Sequence, residues 1–169
     1  MVKKIRIIYK KVRIFKPQKA HGLFEVKKEI IFPIVFIIVL FDQLSKFIVG
    51  SYLEVGESIA IIKRVFYITL TNNYGATFGL LKGYTWLFIL FSFLIIGTAI
   101  YYWKDIPKKK YIIWMIALIL AGAVGNLADR LVYGYVIDFI DFRIWPIFNI
   151  ADLTLTIGCI GLIIYFWKS

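Results

Sequence analysis

The sequence predicts a mainly α-helical membrane protein, in which four transmembrane helices carry a small extracytoplasmic β-sheet and both termini lie in the cytoplasm. Apolar residues make up 61% of the 169 residues, and the mean hydropathy is +0.81, well above the usage of soluble domains. Four apolar runs are long enough to cross about 30 Å of hydrocarbon. Most Lys and Arg residues lie on one side of these runs, as they do in the cytoplasmic segments of membrane proteins.

The four apolar runs cover residues 30–49, 86–103, 111–128 and 150–167. Between the first two runs, residues 50–85 form the longest loop. Its segment 65–71 is β-branched and aromatic with no helical period, which predicts a short strand or small sheet. Asn72, Asn73 and Gly75 are expected to end that strand, because these residues favour turns.

The basic residues predict the orientation of the chain. The sequence has 21 Lys and Arg against 10 Asp and Glu, a net charge of +11. Fifteen of the 21 lie in residues 1–29, in residues 104–110 or at Lys168, so these segments are assigned to the cytoplasm and no nucleic-acid partner is needed to explain the charge. Residues 1–29 form a basic cytoplasmic extension, and residues 30–169 form the transmembrane domain. The opposite side carries Lys63, Arg64, Lys82, Arg130 and Arg143.

The scarcity of Cys and His excludes several kinds of site. With Cys159 and His21 as the single representatives of their types, the chain can form neither an internal disulfide nor a zinc site built from Cys and His. Because His21 lies in the basic extension, a Ser-His or Cys-His nucleophile is not expected. Any catalysis would therefore use carboxylates, Lys, Tyr or Ser, and no metal or cofactor is expected.

Two polar clusters interrupt the apolar runs, although ionisable groups in a membrane cost about 2.5–3.5 kcal/mol each at a helix centre. Asp42 and Lys46 are four residues apart, so they share a helix face, and we interpret them as a structural ion pair. Asn126 and Asp129 share a face at the outer end of the third run, followed by Arg130. This second cluster fits either a polar helix end braced by an Asp-Arg contact or a ligand site.

A third cluster contains two acids among apolar neighbours, Asp138 and Asp152. Pro146 favours a break before the fourth run, which puts Asp152 in the first turn of a helix. Asp138 is close enough in sequence to fold beside it. Two carboxyls in an apolar place would share a proton, as in aspartic proteases, although two unrelated interfacial acids fit the spacing equally well.

Five motifs follow one another along the chain: Asp42-Gln43-Leu44-Ser45-Lys46, Asn73-Tyr74-Gly75-Ala76-Thr77-Phe78, Gly125-Asn126-Leu127-Ala128-Asp129-Arg130, Gly134-Tyr135-Val136-Ile137-Asp138-Phe139 and Phe148-Asn149-Ile150-Ala151-Asp152. In this order, on four runs of this orientation, they resemble the signature blocks of the lipoprotein signal peptidase (signal peptidase II) family. The resemblance covers about residues 30–168.

The resemblance implies a multi-pass aspartyl endopeptidase of the bacterial inner membrane. It would cut signal peptides from diacylglyceryl-modified prolipoproteins just before the lipidated Cys, near the extracytoplasmic face, with a sheet that cradles the substrate. Asp138 and Asp152 would form the catalytic pair. The substrate-positioning residues would be Asn73, Asn126, Arg130 and Asn149, and the supporting residues Asp42, Lys46 and Asp129. The family uses no metal or organic cofactor and is inhibited by globomycin; we expect a monomer whose other partners are membrane lipids.

Three other functions fit parts of the sequence. A proton-coupled transporter or channel would also place acids and bases within a membrane. A Ser-Lys peptidase would use Lys46 with Ser45 or Ser51, but adjacent residues do not face each other on a helix, and a spacing of five lies beyond the helical neighbour positions. A purely structural membrane protein would leave the polar residues at one interface without a role.

Overall fold

The computed structural model describes residues 27–75 and 83–168, which form four α-helices and a three-stranded sheet. The helices are α1 (Ile31–Tyr52), α2 (Thr85–Tyr101), α3 (Lys110–Tyr133) and α4 (Ile150–Trp167). By length and composition, α1, α3 and α4 could each cross a membrane, and α2 is a shorter apolar helix of 17 residues. Most of the basic extension, the loop residues 76–82 and Lys82 within them lie outside the described residues.

The helices follow the four predicted apolar runs closely, and α4 has the predicted bounds. The largest difference is at the end of α3, which continues five residues beyond the predicted residue 128. It ends at Gly134, which takes a left-handed conformation (φ 79°) and donates its backbone N–H to the carbonyl of Arg130. Asn126, Asp129 and Arg130 therefore lie in the last turns of a helix, on a regular backbone.

Helix α3 is the centre of the bundle and packs against α1, α2 and α4. Glycines permit this close approach: a Cβ at Gly122 would overlap the carbonyl of Ala151, and one at Gly125 would lie 2.7 Å from Oδ2 of Asp42. Gly158 and Gly161 of α4 likewise lie directly against α3. Small residues thus bring these helices together, as they commonly do in membrane proteins.

The polarity of the bundle is inverted relative to a soluble protein. Phe36, Phe41 and Phe47 on α1 are each about two-thirds exposed, whereas Asp42 and Lys46 on the same helix are buried. Apolar surfaces that face outward are stable in lipid, and the charged groups are stable inside because they are paired. The chain is therefore a membrane protein.

The sheet has three antiparallel strands in the order β1 (Ser58–Ile62), β2 (Phe66–Asn73) and β3 (Val136–Asp141). The strand predicted for residues 65–71 is β2. The prediction that Asn72 and Asn73 end this strand is wrong, because both residues continue it and pair with Ile137 and Val136 of β3. The sheet thereby carries Asn73 to the C-terminal end of α3.

Candidate active site

Asp138 and Asp152 are carried by different elements that meet at the C-terminal end of α3. Asp138 lies on β3, opposite Thr71, and is 1% exposed. Asp152 lies in the first turn of α4, where Asn149 caps the helix: Oδ1 of Asn149 accepts from the backbone N–H of Asp152 at 2.8 Å, and Oδ2 of Asp152 accepts from that of Asn149 at 3.4 Å. This capping box fixes the Asp152 side chain beside the start of the helix.

Amide side chains link the two carboxylates. Nδ2 of Asn149 donates to Oδ1 of Asp138 at 2.7 Å and to Oδ1 of Asn126 at 3.1 Å. Nδ2 of Asn126 donates in turn to Oδ1 of Asp152 at 2.7 Å. Asn73 of β2 donates to the second oxygen of Asp138 at 2.9 Å. Each acid is thus oriented by neutral donors, and the predicted neighbours Asn73, Asn126 and Asn149 all belong to one network.

The environment of Asp138 favours its protonated form. Burial raises the pKa of Asp138 to about 7, and the nearby Asp152 carboxylate adds to the rise, whereas hydrogen bonds from Asn73 and Asn149 and the charge of Lys46 oppose it. An acid that keeps its proton near neutral pH beside a second acid can donate a proton while the other accepts one. The pair is therefore suited to general acid-base chemistry.

A second group of buried acids lies next to the first, and we call Asp42, Lys46 and Asp129 the ionic layer. Nζ of Lys46 lies 2.6 Å from Oδ2 of Asp42 and 2.9 Å from Oδ2 of Asp129. Asp42 also accepts from the backbone N–H of Ala151 in α4 at 2.9 Å, and Asp129 from that of Ile137 in β3 at 3.1 Å. The ionic layer thus connects α1 and α3 to the two elements that carry the catalytic candidates.

Arg130 faces the cavity beside Asp152. Its Cζ lies 4.8 Å from the Phe88 ring centroid, and its guanidinium donates to the carbonyls of Asn126 and Gly75, each at 3.4 Å. These contacts are long, so the guanidinium retains donors for a ligand. The cavity is about 220 Å³, and its polar lining comprises Asn73, Ser92, Asn126, Arg130 and Asp152.

The second polar cluster therefore divides between two roles. Asp129 turns inward to Lys46, while Arg130 reaches the cavity. The Asp-Arg brace that the sequence allowed is replaced by an Asp129–Lys46 ion pair, because α1 supplies a buried cation at this depth.

The serines that the sequence offered as nucleophiles do not face Lys46. Oγ of Ser45 donates to the carbonyl of Asp42 at 2.7 Å, and Oγ of Ser51 donates to that of Phe47 at 2.8 Å. Because both hydroxyls bond to their own helix and Lys46 is held by two carboxylates, no Ser-Lys pair is assembled.

Sequence reasoning missed Gln43. Its Nε2 donates to Oδ1 of Asp129 at 2.8 Å, to the carbonyl of Gly125 at 3.2 Å and to Oδ2 of Asp42 at 3.1 Å. A polar amide next to Asp42 in an apolar run was the available signal. The signal for the lining residue Ser92 of α2 was weaker, because it is one of only a few hydroxyl groups scattered through an apolar helix.

A larger cavity of about 690 Å³ lies at the other end of the bundle, between α1, α2 and α3. It is lined by apolar side chains such as Val35, Ile100 and Leu120, with Lys104 at its edge. Since its lining includes no carboxylate, it cannot hold a pair of acids, and the smaller polar cavity is the candidate site.

Comparisons with known proteins find similar sequences in one family. Residues 34–168 match the family model described as signal peptidase (SPase) II. A lipoprotein signal peptidase of Halothermothrix orenii is 42% identical over 139 residues, which cover 82% of this chain and 96% of that protein. A lipoprotein signal peptidase of Streptococcus agalactiae is 39% identical over 146 residues, which cover 84% of this chain and 95% of that protein.

Solved structures show the same fold. A structure described as a bacterial membrane enzyme superposes with a TM-score of 0.81 at 36% identity, covering 88% of this chain and 93% of its own. A second structure with the same description has a TM-score of 0.78, again at 36% identity, over 88% of this chain and 99% of its own. The likeness over sequence, fold and length leads to one conclusion: the chain belongs to the signal peptidase II family.

Proposed function

We propose that this protein is an aspartyl endopeptidase that removes signal peptides from diacylglyceryl-modified prolipoproteins, cutting just before the lipidated Cys. The observation that carries the proposal is the pair of acids, Asp138 and Asp152, joined through Asn149 and Asn126. Membership of the signal peptidase II family supports peptide-bond cleavage as the reaction.

The proposed mechanism uses one proton shared by the two acids. The ionised carboxylate removes a proton from a bound water, whose oxygen attacks the carbonyl carbon of the scissile peptide bond. The protonated carboxyl donates a hydrogen bond to the carbonyl oxygen and then protonates the leaving amine as the C–N bond breaks. Asn73 and Asn149 hold Asp138 in place for these transfers, and Asn126 holds Asp152.

Arg130 is proposed to position the substrate. Its guanidinium lies beside Asp152 at the cavity and can donate to peptide carbonyls on either side of the scissile bond. The apolar part of the cavity, including Phe88 and Leu155, suits the hydrophobic end of a signal peptide. The acyl chains of the substrate then remain in the surrounding lipid.

The location follows from the same features. We propose that all four helices span the bacterial inner membrane, with both termini and residues 104–110 in the cytoplasm, because that arrangement puts fifteen of 21 basic residues inside. Helix α2, with 17 residues, is at the short end of the range for a span. The acids and the sheet then lie at the extracytoplasmic face, where a signal peptide ends.

The test is cleavage of a lipidated precursor by the purified protein, followed by gel shift, with and without globomycin. Asp138→Asn and Asp152→Asn should each reduce the rate at least about 1,000-fold, because a neutral amide can neither take up the water proton nor return it. Thermal unfolding in detergent checks that both variants are folded.

Asp141→Asn is the matched control. Asp141 lies on the same strand and is also buried, but it bonds to Thr69 and Arg143 and makes no hydrogen bond to Asn73, Asn126 or Asn149. It should retain cleavage within about tenfold. If Asp138→Asn or Asp152→Asn cleaved as fast as this control, the aspartyl mechanism would be wrong.

A further inference from the structure

One end of the sheet projects away from the catalytic acids and is exposed throughout. We call this end, residues 61–65 and 142–145, the sheet tip. It contains the turn between β1 and β2 and the segment that follows β3. The Phe66 and Phe142 rings stack at 5.2 Å and hold the two parts together, whereas Asn73 and Val136 form the opposite, catalytic end.

Several apolar side chains of the sheet tip are exposed. Ile144 is 93% exposed, and Ile61, Ile62 and Val65 are each more than half exposed. Contiguous exposed apolar surface of this kind marks an interaction site with protein or membrane. The chain is a membrane protein, so the bilayer is the apolar phase already next to this end of the bundle.

The sheet tip is also cationic. It carries Lys63, Arg64 and Arg143, three of the basic residues that fall on the minority side of the membrane. No acid occurs in residues 58–73 or 142–151. Among the residues that the structure describes, ion pairing accounts only for Arg143, at 3.4 Å from Asp141. The orientation rule does not explain these charges, and they do not line the catalytic cavity.

The backbone holds two of these cations in an uncommon conformation. In the described part of the chain, Arg64 (φ 66°) and Arg143 (φ 64°) are the non-glycine residues with positive φ, and both lie in the sheet tip. Tyr67 braces both: its hydroxyl accepts from the backbone N–H of Arg64 at 3.0 Å, and its ring lies 3.8 Å from Cζ of Arg143. Backbone strain of this kind persists where the surrounding structure fixes it, which is common at functional sites.

We propose that the sheet tip binds anionic phospholipid headgroups of the leaflet at the catalytic end of the bundle. Lys63, Arg64 and Arg143 contact the phosphates, and Ile61, Ile62 and Ile144 insert below them. Interfacial membrane anchors have the same arrangement, with basic residues at the headgroups and apolar residues beneath them. The anchor holds the sheet, and with it Asn73 and Asp138, at a fixed height above the bilayer.

The test uses the full chain in vesicles, with Ile144→Cys in a Cys159→Ser background and an environment-sensitive fluorophore on the new thiol. Quenching by nitroxide-labelled lipids is compared between vesicles rich in phosphatidylglycerol and vesicles of phosphatidylcholine alone. We expect stronger lipid quenching, and weaker quenching by aqueous iodide, in the anionic vesicles. No cleavage is measured, so the result does not depend on the peptidase proposal.

Two triple variants complete the design. Lys63→Gln/Arg64→Gln/Arg143→Gln should abolish the difference between the two lipids, because each neutralised cation lowers the affinity for an anionic surface about fivefold. Lys104→Gln/Lys110→Gln/Lys168→Gln removes the same charge from exposed positions at the other end and should retain the difference. Unfolding temperatures in detergent show that both are folded. Equal quenching in both lipids, or quenching by iodide alone, would overturn the proposal.

Discussion

Two pairs of acids lie side by side in this protein, and their partners differ. In the ionic layer, Asp42 and Asp129 share the ammonium of Lys46 at 2.6 and 2.9 Å. The catalytic candidates, Asp138 and Asp152, instead accept side-chain hydrogen bonds from the neutral amides of Asn73, Asn126 and Asn149. Both groups lie at the C-terminal end of α3.

The difference separates a structural role from a reactive one. A cation in contact with two buried carboxylates balances their charge and fixes their positions, which is a structural role. Amides orient a carboxylate but supply no compensating charge, so a pair held by amides retains a proton that can be moved. The two neighbouring pairs of acids thus have different roles because Lys46 is in contact with only one of them.

Removing that lysine should have the largest effect on stability. Lys46→Met leaves Asp42 and Asp129 buried without a cation, and breaking a buried ion pair in this way costs about 3–5 kcal/mol. The unfolding temperature in detergent should fall accordingly and activity should be lost with it. Lys104→Met, at an exposed position, is the control. Equal unfolding temperatures for the two variants would show that the ionic layer does not stabilise the bundle.

Changing the amide between the catalytic acids should affect activity more than stability. Asn149→Ser keeps an oxygen that can cap α4 but removes the donor to Asp138 and Asn126. We expect the cleavage rate to fall about 100- to 1,000-fold, by analogy with the loss of one oriented donor in other active sites. Asn149→Ala should lose about 1 kcal/mol of stability as well, because the cap is also removed. A Ser variant with the normal rate would exclude Asn149 from the mechanism.

The proton held by Asp138 predicts how stability and activity depend on pH. The folded chain binds this proton up to about pH 7, whereas an unperturbed carboxyl releases it near 3.8. The folded state therefore loses stability as the pH rises through that window, by an amount on the order of a few kcal/mol. Cleavage should also decline above about pH 7, because the proton that the two acids share is then lost. Unfolding of Asp138→Asn measured from pH 4 to 8 should lack this slope; an unchanged slope would assign it to another group.

The smallest effect should come from the glycine that lets α1 approach α3. A Cβ at Gly125 would meet Oδ2 of Asp42 at 2.7 Å, so Gly125→Ala must displace the carboxylate that Lys46 binds. We expect a loss of about 1–3 kcal/mol in the free energy of unfolding, as for overpacked cores. Gly97→Ala, where a Cβ would meet nothing within 4 Å, should be neutral or slightly stabilising. Equal stabilities would mean that the ionic layer tolerates displacement.

Local signals in the sequence predicted the helices well. Hydrophobic length located all four, and the bounds of α4 agree with the structure because Asn149 and Asp152 form a cap that the sequence displays. The end of α3 was predicted too early, since the polar residues after 125 suggested an interface. In the structure these residues stay helical, because their side chains bond to α1 and to the cavity residues.

Long-range pairing was less predictable. Strand β3 pairs with β2 across more than 60 residues, and a short segment with two acids has little strand signal of its own. The linking role of Asn149 also depends on this pairing, because β3 brings Asp138 to it. The resemblance to a known family identified the residues of the site. The spacing of Asp138 and Asp152 alone was equally consistent with two unrelated acids.

The hydrogen bond from Ala151 to Asp42 also implies an order of assembly. Its two residues are 109 positions apart, so at roughly 5–20 residues per second α1 exists about 5–20 s before its last partner is made. During that time Lys46 is the local partner that neutralises Asp42, from one turn further along the same helix. The i,i+4 pair thus makes the first helix compatible with the membrane before the rest of the chain is made, and a chain that stops before α4 leaves Oδ1 of Asp42 without its backbone donor.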